Sequence, residues 1–515
     1  MISKNKIDNR VIALAGFVLL LALIAKPVWD GRDQSQFGPG RDDGVYLVTA
    51  KSLAAGGGYR QPSLPGQPYA TKYPPLFPLF LSLSWRVQPD FPRTLVVASI
   101  FQDCLLPVYL AILFLVLRQL GLSWRRTLLA AAMMFVSFTF VFLAVTLYSE
   151  LLFGCFLLSA IWATERAAVQ DSARWALAGG LLTGLAYLTR SAALPMLAAA
   201  PIFFFLRKRL RLSVFFFACA LPMAAAWHVW TATHAPTMAG SPYVNEYLRA
   251  VGGRGFLANV LERVSTLSAS AAEVFLPGTI EFLHGIPLHH LVLAAAIAGG
   301  VRMGRRQQWP LFPIFTALYL MMLACWWGEG LGRLMIPVWP MLLVGIAEEA
   351  SHFATLAGRS MKFKAAPRWA LVALGIFIVL RNDRVTWHRL EEVYSTERGN
   401  RAKDRAAYAW ISGHAGEGSI VLAWKDTLAY LYTGLPSSHD LFVATIPQAE
   451  NLVGLRTSFS LPPGRFKSAV LLLLDSDLHA DSHQMDSFRA TAAAVPGARL
   501  EWSAPGAFVY RFPVR

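Results

Sequence analysis

Long apolar segments recur along most of this sequence, separated by short polar stretches. A membrane-spanning helix needs about 20 apolar residues, and by that measure the sequence predicts about eleven spans. Composition agrees, because only 15% of the residues are charged, whereas soluble domains carry about a quarter. We therefore predict a polytopic α-helical membrane protein. We expect its location to be a cell membrane, of the bacterial inner-membrane kind. The predicted spans are residues 11–28, 94–117, 127–145, 148–168, 175–189, 192–206, 212–231, 287–301, 310–327, 334–347 and 369–380.

Arginine and lysine are concentrated in clusters between these apolar segments. Cytoplasmic loops carry an excess of such residues, and each dense cluster falls on the same side of the predicted spans as the basic N-terminus. We therefore expect a cytoplasmic N-terminus and, because the number of spans is odd, a C-terminal part outside. The loops 29–93 and 233–286 then also face outward. The clusters are Arg118, Arg125 and Arg126; Arg207, Lys208, Arg209 and Arg211; Arg302, Arg305 and Arg306; and Arg359, Lys362, Lys364 and Arg368.

The first apolar segment follows three basic residues, Lys4, Lys6 and Arg10, as it would in a signal peptide. A signal peptide ends in a small-x-small cleavage site, and none precedes Lys26. We therefore expect this segment to remain as an uncleaved first helix.

The pattern changes at Asn382. Short apolar runs bounded by turn residues predict buried strands at Ser419–Trp424 and Ser468–Asp477, and a last strand at Ala507–Phe512. Amphipathic helices are predicted at Arg401–Gly413 and Gln484–Ala494. The sequence thus predicts two domains, a membrane domain at 1–381 and a small extracytoplasmic α/β domain at 382–515.

The first outward loop contains the most distinctive polar residues. Asp42 and Asp43 begin a short amphipathic helix that includes Tyr46 and ends before three glycines, and Lys72 begins a Lys-Tyr-Pro-Pro sequence. The acids can cap the helix and complement its dipole, or one can serve as general base for an acceptor hydroxyl. Lys72 can anchor at headgroup level, or pair with a lipid phosphate as a point charge.

Three further charged residues lie at the outward ends of predicted spans. Glu150 begins the fourth span, Arg190 lies in the turn after the fifth, and Arg333 stands at the head of the tenth. An acid in that position is costly unless it is paired, so Glu150 can form a salt bridge with an arginine, bind acceptor or bind a metal. The arginines can snorkel to the interface or bind substrate.

The order and sidedness of these motifs resemble the GT-C membrane glycosyltransferases, in particular the glycosyltransferase family 39-like group. That group includes protein O-mannosyltransferases and the aminoarabinose transferase of lipid A. The resemblance covers the acid pair, the lysine-proline element, the span count and the long outward loops. Two weaker elements agree, Tyr148-Ser149-Glu150 and Gly332-Arg333-Leu334-x-x-Pro337.

The resemblance implies transfer of a sugar from a polyprenyl-phosphate carrier to an acceptor hydroxyl on the outer face of the membrane. It assigns the catalytic base to Asp42, with Asp43 as its neighbour or as the alternative base, and contact with the carrier phosphate to Lys72. This sequence has Asp-Asp-Gly where many members have Asp-Glu, which leaves the identity of the base open. It has Lys-Tyr-Pro-Pro where the aminoarabinose transferase has Lys-Pro-Pro, which loosens the placement of the lysine.

The implied partners are a polyprenyl-phosphate sugar donor, a lipid, glycan or protein acceptor, and the bilayer itself. The formal net charge of +16 does not indicate nucleic acid, because the basic residues form no single dense patch. No cofactor is certain; a divalent metal is possible, although two adjacent acids alone make a poor metal site. The alternatives are a transporter or flippase of a lipid-linked glycan, which would need ionisable groups near mid-span, and a non-catalytic scaffold.

Overall fold

The computed structural model describes residues 4–32, 42–235, 256–273, 288–326, 331–360, 366–445, 466–478 and 482–513. Most of these residues are helical, as the apolar segments predict. The helices are α1 (Lys4–Gly31), α2 (Asp42–Ala54), α3 (Leu76–Val87), α4 (Arg93–Asp103), α5 (Leu105–Gln119), α6 (Trp124–Phe135), α7 (Phe138–Val145), α8 (Glu150–Gln170), α9 (Ala173–Thr189), α10 (Leu194–Leu206), α11 (Leu212–His234), α12 (Phe256–Glu273), α13 (Leu288–Arg306), α14 (Leu311–Ala324), α15 (Leu331–Leu334), α16 (Trp339–Ser360), α17 (Ala366–His414), α18 (Asp426–Thr433), α19 (His439–Thr445), α20 (Asp475–Leu478) and α21 (Ser482–Ala493).

Several of the described helices are long and apolar enough to cross a membrane. By length and composition there are four such helices, and α6 with α7 makes a fifth if that pair, bent by 67°, is one broken span. Three shorter helices are also apolar. These findings confirm a polytopic, mostly helical chain, while the number of eleven spans stays a prediction. The four are Val11–Gly31, Arg93–Gln119, Glu150–Gln170 and Leu212–His234, and the shorter three are Leu76–Val87, Ser191–Leu206 and Leu311–Ala324.

The chain divides into two compact units, each built from separate stretches of sequence. The first comprises Met1–Asp30, Thr71–Phe77 and Gln102–Leu390. The second comprises Gly31–Ala70, Pro78–Phe101 and Glu391–Arg515. Most described residues of the first outward loop (29–93) therefore belong to the same unit as the C-terminal residues. The domain limits of 1–381 and 382–515 remain predictions.

Glycines bring pairs of helices into close contact in the first unit. A Cβ atom on Gly299 of α13 would overlap the Gly345 carbonyl oxygen of α16, and one on Gly180 of α9 would overlap the Phe216 carbonyl oxygen of α11. Helices in membranes pack through such small residues because lipid supplies no hydrophobic drive to hold them together. Close backbone packing therefore fixes α9, which ends just before Arg190, against α11.

The second unit contains a five-stranded sheet in the order β2-β1-β3-β5-β4. Neighbours β2, β1 and β3 are parallel, whereas β5 is antiparallel to both β3 and β4. The apolar side chains of α19 and α21, among them Phe442 and Phe488, are buried with those of β1 and β3. The strands are β1 (Ser419–Ala423), β2 (Ser437–Ser438), β3 (Ser468–Leu474), β4 (Arg499–Ala504) and β5 (Ala507–Pro513).

The three predicted strands are confirmed as β1, β3 and β5, except that Asp475 to Asp477, predicted as the end of the second strand, belong to α20. The predicted helix at Gln484–Ala494 is α21. The helix predicted at Arg401–Gly413 is the last part of α17, which runs without a break from Ala366 to His414. The edge strands β2 and β4 were not predicted: β2 has two residues, and β4 is largely exposed and polar. Neither has the apolar run that marks a buried strand.

Candidate functional site

Both candidate base residues lie in the first turn of α2, in the second unit. The relative exposures are 7% for Asp42, 1% for Asp43 and 2% for Tyr46. The helix dipole favours negative charge at this end, and Oδ1 of Asp43 accepts a hydrogen bond from the Gly44 N–H at 2.9 Å. The helix-start role expected for the acids is therefore present in Asp43. This hydrogen bond is compatible with catalysis, because a general base also needs a fixed orientation.

The helix itself differs from the prediction in one respect. Nine of its 13 residues are buried, so the solvated face of an amphipathic helix is absent. The predicted glycine break is confirmed: Gly56 and Gly58 have φ angles of 75° and 77°, a conformation that glycine adopts without the steric cost a Cβ brings.

Lys72 belongs to the first unit and precedes α3. Its Nζ atom lies 5.7 Å from the centroid of the neighbouring Tyr73 ring, and the side chain is half-buried. Two prolines then lead into α3 at Leu76. Proline has a fixed φ and no N–H to donate, so the chain direction after the lysine is restricted, as expected.

Glu150, Arg190 and Arg333 are brought together in the first unit. Oε1 of Glu150 lies 2.7 Å from Nη1 of Arg190 and 3.9 Å from Nε of Arg333. The Glu150 side chain is 3% exposed, against 15% and 27% for the two arginines. The salt bridge proposed for Glu150 is thus confirmed, and one carboxylate lies against two guanidinium groups.

Local structure explains how three distant residues meet. Glu150 is the first residue of α8, Arg190 has an extended backbone just after α9, and Arg333 lies in the single turn α15. Nη1 of Arg190 also donates to Oγ of Ser149 at 3.0 Å, and the Arg333 guanidinium carbon lies 5.2 Å from the centroid of the Tyr148 ring. Each residue is at a helix end, where a long side chain can turn towards its neighbours.

Two buried side chains that sequence reasoning missed support this cluster. Nε2 of Gln102 donates to the carbonyl oxygens of Thr146 and Tyr148, at 3.3 and 2.9 Å, and so holds the turn before α8. The Tyr319 hydroxyl donates to the Leu334 carbonyl at 2.8 Å and holds α15. The one available signal was a glutamine within an apolar run, since a buried polar group needs a partner.

A small cavity is lined in part by Glu150. Apart from Glu150, its lining is mainly apolar and includes Phe140, Leu143 and Ile336. Among the residues that the structure describes, Oε2 of Glu150 is buried and has no hydrogen-bond partner. One carboxylate oxygen therefore holds the arginines while the other remains available to a donor group.

Six of the seven predicted site residues thus fall into two groups, and the seventh, Lys72, lies in the first unit. Asp42, Asp43 and Tyr46 are neighbours on one helix of the second unit, and the three charged residues of the cluster are in contact in the first. Within the described ranges, no group of three or more His, Cys, Asp or Glu side chains is arranged to hold a metal ion. Two further predicted features, the Trp327–Glu329 segment at the outer end of the predicted ninth span and the loop histidine His284, lie outside the described residues.

Comparisons with known proteins identify the fold. The apo form of ArnT from Cupriavidus metallidurans matches with a TM-score of 0.54 and 14% identity, over 97% of this chain and 98% of that one. An oligosaccharyltransferase of Archaeoglobus fulgidus, tethered to an acceptor peptide, matches with a TM-score of 0.55 and 13% identity over 96% and 74%. The chain has the GT-C fold.

The GT-C assignment agrees with the resemblance read from the motifs. The same ArnT protein bound to undecaprenyl phosphate matches with a TM-score of 0.53 and 14% identity, over 96% of this chain and 97% of that one. The profile of the dolichyl-phosphate-mannose-protein mannosyltransferase family matches residues 72–230, a segment that begins at Lys72 and contains Glu150 and Arg190. No curated protein sequence matches significantly.

Proposed function

We propose that this GT-C protein is a glycosyltransferase that moves a hexosyl or pentosyl group from a polyprenyl-phosphate donor to an acceptor hydroxyl. The acceptor is a lipid, glycan or protein at the outer face of the membrane. The observation that carries the proposal is the pair of buried carboxylates in the first turn of α2, in a chain with this fold. We further propose the topology read from the charges: about eleven spans, a cytoplasmic N-terminus and an extracytoplasmic C-terminal domain in a bacterial inner membrane.

The reaction needs one base and cationic stabilisation. The acceptor oxygen attacks the anomeric carbon, Asp42 or Asp43 takes the hydroxyl proton, and the bond between that carbon and the phosphate oxygen breaks. The electron pair leaves with the polyprenyl phosphate, which becomes more negative. Preorganised charges aimed at such developing charge lower the barrier. Tyr46, one helical turn after Asp42, is proposed to contact substrate beside the base.

Lys72, Arg190 and Arg333 are the proposed cations. Arginine donates several hydrogen bonds from a planar group, and lysine acts as a compact charge, so both suit phosphate. The Glu150 carboxylate lies 2.7 Å from the Arg190 guanidinium and 3.9 Å from that of Arg333. We assign Glu150 the role of positioning both arginines.

The test is turnover by the purified full chain in lipid, with polyprenyl-phosphate sugars as donors. Turnover is measured as release of the carrier phosphate, that is, of the polyprenyl phosphate without its sugar. Asp42→Asn and Asp43→Asn are compared with Asp90→Asn, a control for an exposed acid of the same loop. Loss of a general base should cost about a hundredfold to ten thousandfold in kcat, so the more damaged of the two variants identifies the base. The control should keep wild-type turnover.

Two outcomes would overturn the proposal. Full turnover in both asparagine variants would refute the catalytic assignment of the acid pair. Absence of turnover with every donor, combined with movement of a lipid-linked glycan across the bilayer, would replace the enzyme with a transporter.

A further inference from the structure

The helix that carries the acid pair also carries a lysine enclosed by aromatic rings. Nζ of Lys51, in the last turn of α2, lies 5.4 Å from the centroid of the Trp85 ring and 4.9 Å from that of Tyr430. Both distances are within the range of about 6 Å in which a ring face attracts a cation. Trp85 is in α3 and Tyr430 in α18, and all three residues belong to the second unit. Lys51 therefore joins α2 to the C-terminal residues.

A second contact fixes the same helix. Nε1 of Trp85 donates to the Leu47 carbonyl oxygen at 3.0 Å, and this hydrogen bond is buried. Trp85 itself is 4% exposed. The indole thus holds α2 near its middle while its ring faces the lysine one turn further on, so the two contacts restrain both rotation and translation of the helix.

The loop after α2 is held by the same part of the C-terminal domain. The Ser437 N–H donates to the Ser63 carbonyl oxygen at 2.7 Å, and Ser437 begins β2, just beyond the end of α18. The Phe91 ring meets the Tyr432 ring edge-on, with centroids 4.8 Å apart. The segment β1–α18–β2 therefore contacts the first outward loop at three places.

We propose that the C-terminal domain positions the acid pair, with Lys51, Trp85 and Tyr430 as the positioning residues. The inference deepens the proposed function and rests on it. A helix rises about 1.5 Å per residue, so Asp42 lies about 14 Å along the axis from Lys51. Because α2 is one continuous helix, a shift at the lysine end moves the acids with it.

The charge on Lys51 has a specific part in this contact. The Lys51 side chain is half-buried, so its ammonium group gives up part of its hydration, and this burial lowers its pKa. The negative ring faces replace part of that hydration. A neutral side chain of similar length would fill the same space without the attraction, and so separates the electrostatic contribution from packing.

The test uses two matched pairs of substitutions in the full-length protein. Lys51→Met removes the charge and Lys51→Arg keeps it; Tyr430→Leu removes the ring and Tyr430→Phe keeps it. A misplacement of about 1 Å can cost about a hundredfold in rate, so we expect kcat to fall about tenfold to a hundredfold in the Met and Leu variants. The Arg and Phe variants should stay within about threefold of wild type, and KM for the donor should change little in all four.

Hydrogen exchange supplies a readout that does not depend on activity. Amides of α2 should exchange faster in Lys51→Met and Tyr430→Leu than in the conservative variants, while those of β3 remain protected. The inference fails if the wild type turns over and the Met and Leu variants keep both its kcat and its exchange pattern. If the wild type releases no carrier phosphate, the proposed function fails instead, and faster exchange in α2 would still establish the docking.

Discussion

Replacing Glu150 with glutamine removes the negative charge that holds Arg190 and Arg333 at the head of α8. At an effective dielectric constant of about 20, two unit charges about 4 Å apart attract by about 4 kcal/mol. In Glu150→Gln the amide oxygen can still accept a hydrogen bond. Arg190 also keeps its hydrogen bond to the Ser149 hydroxyl, at 3.0 Å. We therefore expect a loss of about 2–3 kcal/mol in the free energy of unfolding, below the 3–5 kcal/mol typical when a fully buried pair loses one partner.

The chain offers a matched control for this prediction. Glu348 pairs with Arg306 at 2.6 Å, but that arginine is 60% exposed and the glutamate 14% exposed. Exposed pairs contribute about 0–1 kcal/mol, because water and salt screen the charges. Glu348→Gln is the same chemical change at nearly the same distance, so the difference between the two variants measures the combined effect of burial and of the second arginine at Glu150.

Equilibrium unfolding in mixed micelles, followed by tryptophan fluorescence, measures both losses. A double-mutant cycle of Glu150→Gln with Arg190→Gln should give a coupling of about 2 kcal/mol, since removing both charges leaves neither one buried alone. The reasoning is refuted if Glu150→Gln costs no more than Glu348→Gln, or if the two single losses add to within about 0.5 kcal/mol.

Three other predictions can be checked with the same material. Lys72→Gln should raise KM for the donor about tenfold or more in the carrier-phosphate assay, because a charge-assisted hydrogen bond contributes about 1.5–3 kcal/mol, and Lys72→Arg should recover part of it. Burial raises the pKa of Asp404 from 3.8 to about 7. The folded state then keeps a proton that the unfolded state loses, so stability of the second unit should fall as pH rises through that interval, and Asp404→Asn should flatten the slope in thermal melts at about pH 5 and about pH 8. Gly299→Ala should cost about 1–3 kcal/mol in unfolding, because its Cβ would overlap the Gly345 carbonyl, whereas Gly300→Ala, with 3.8 Å to its nearest neighbour, should be tolerated.

The fold was largely accessible from local sequence patterns. Apolar segments predicted the helices, and short apolar runs predicted β1 and β3, because burial on both faces selects such runs whatever their partners are. Glycines at Gly56 and Gly58 marked the end of α2, since their backbone angles are a local property. The two-residue strand β2 had no such pattern; it exists because β1 and the Ser63 carbonyl supply its hydrogen bonds.

The sequence predicted the types of residue in the candidate site better than it predicted their arrangement in space. The sequence alone identified Glu150, Arg190 and Arg333 as charged residues at the ends of apolar segments, where a charge is costly unless it is paired. It left open whether they pair, because the arginines are 40 and 183 positions away along the chain and only the packing of α8, α9 and α15 brings them together. Gln102 and Tyr319 were missed for the same reason, since the carbonyl groups that they hold are defined only in the folded chain.

What the sequence determined by itself is the membrane class of the protein, its helices and the chemical candidates, because apolar length and the cost of an unpaired charge in lipid depend on each segment alone. The tertiary structure decided which of the candidates meet and what restrains them. It buried α2, so that a helix expected to have a wet face is covered, and it placed Lys51 against Tyr430, 379 positions further along. Such contacts depend on where the chain returns in space, and no local pattern encodes that.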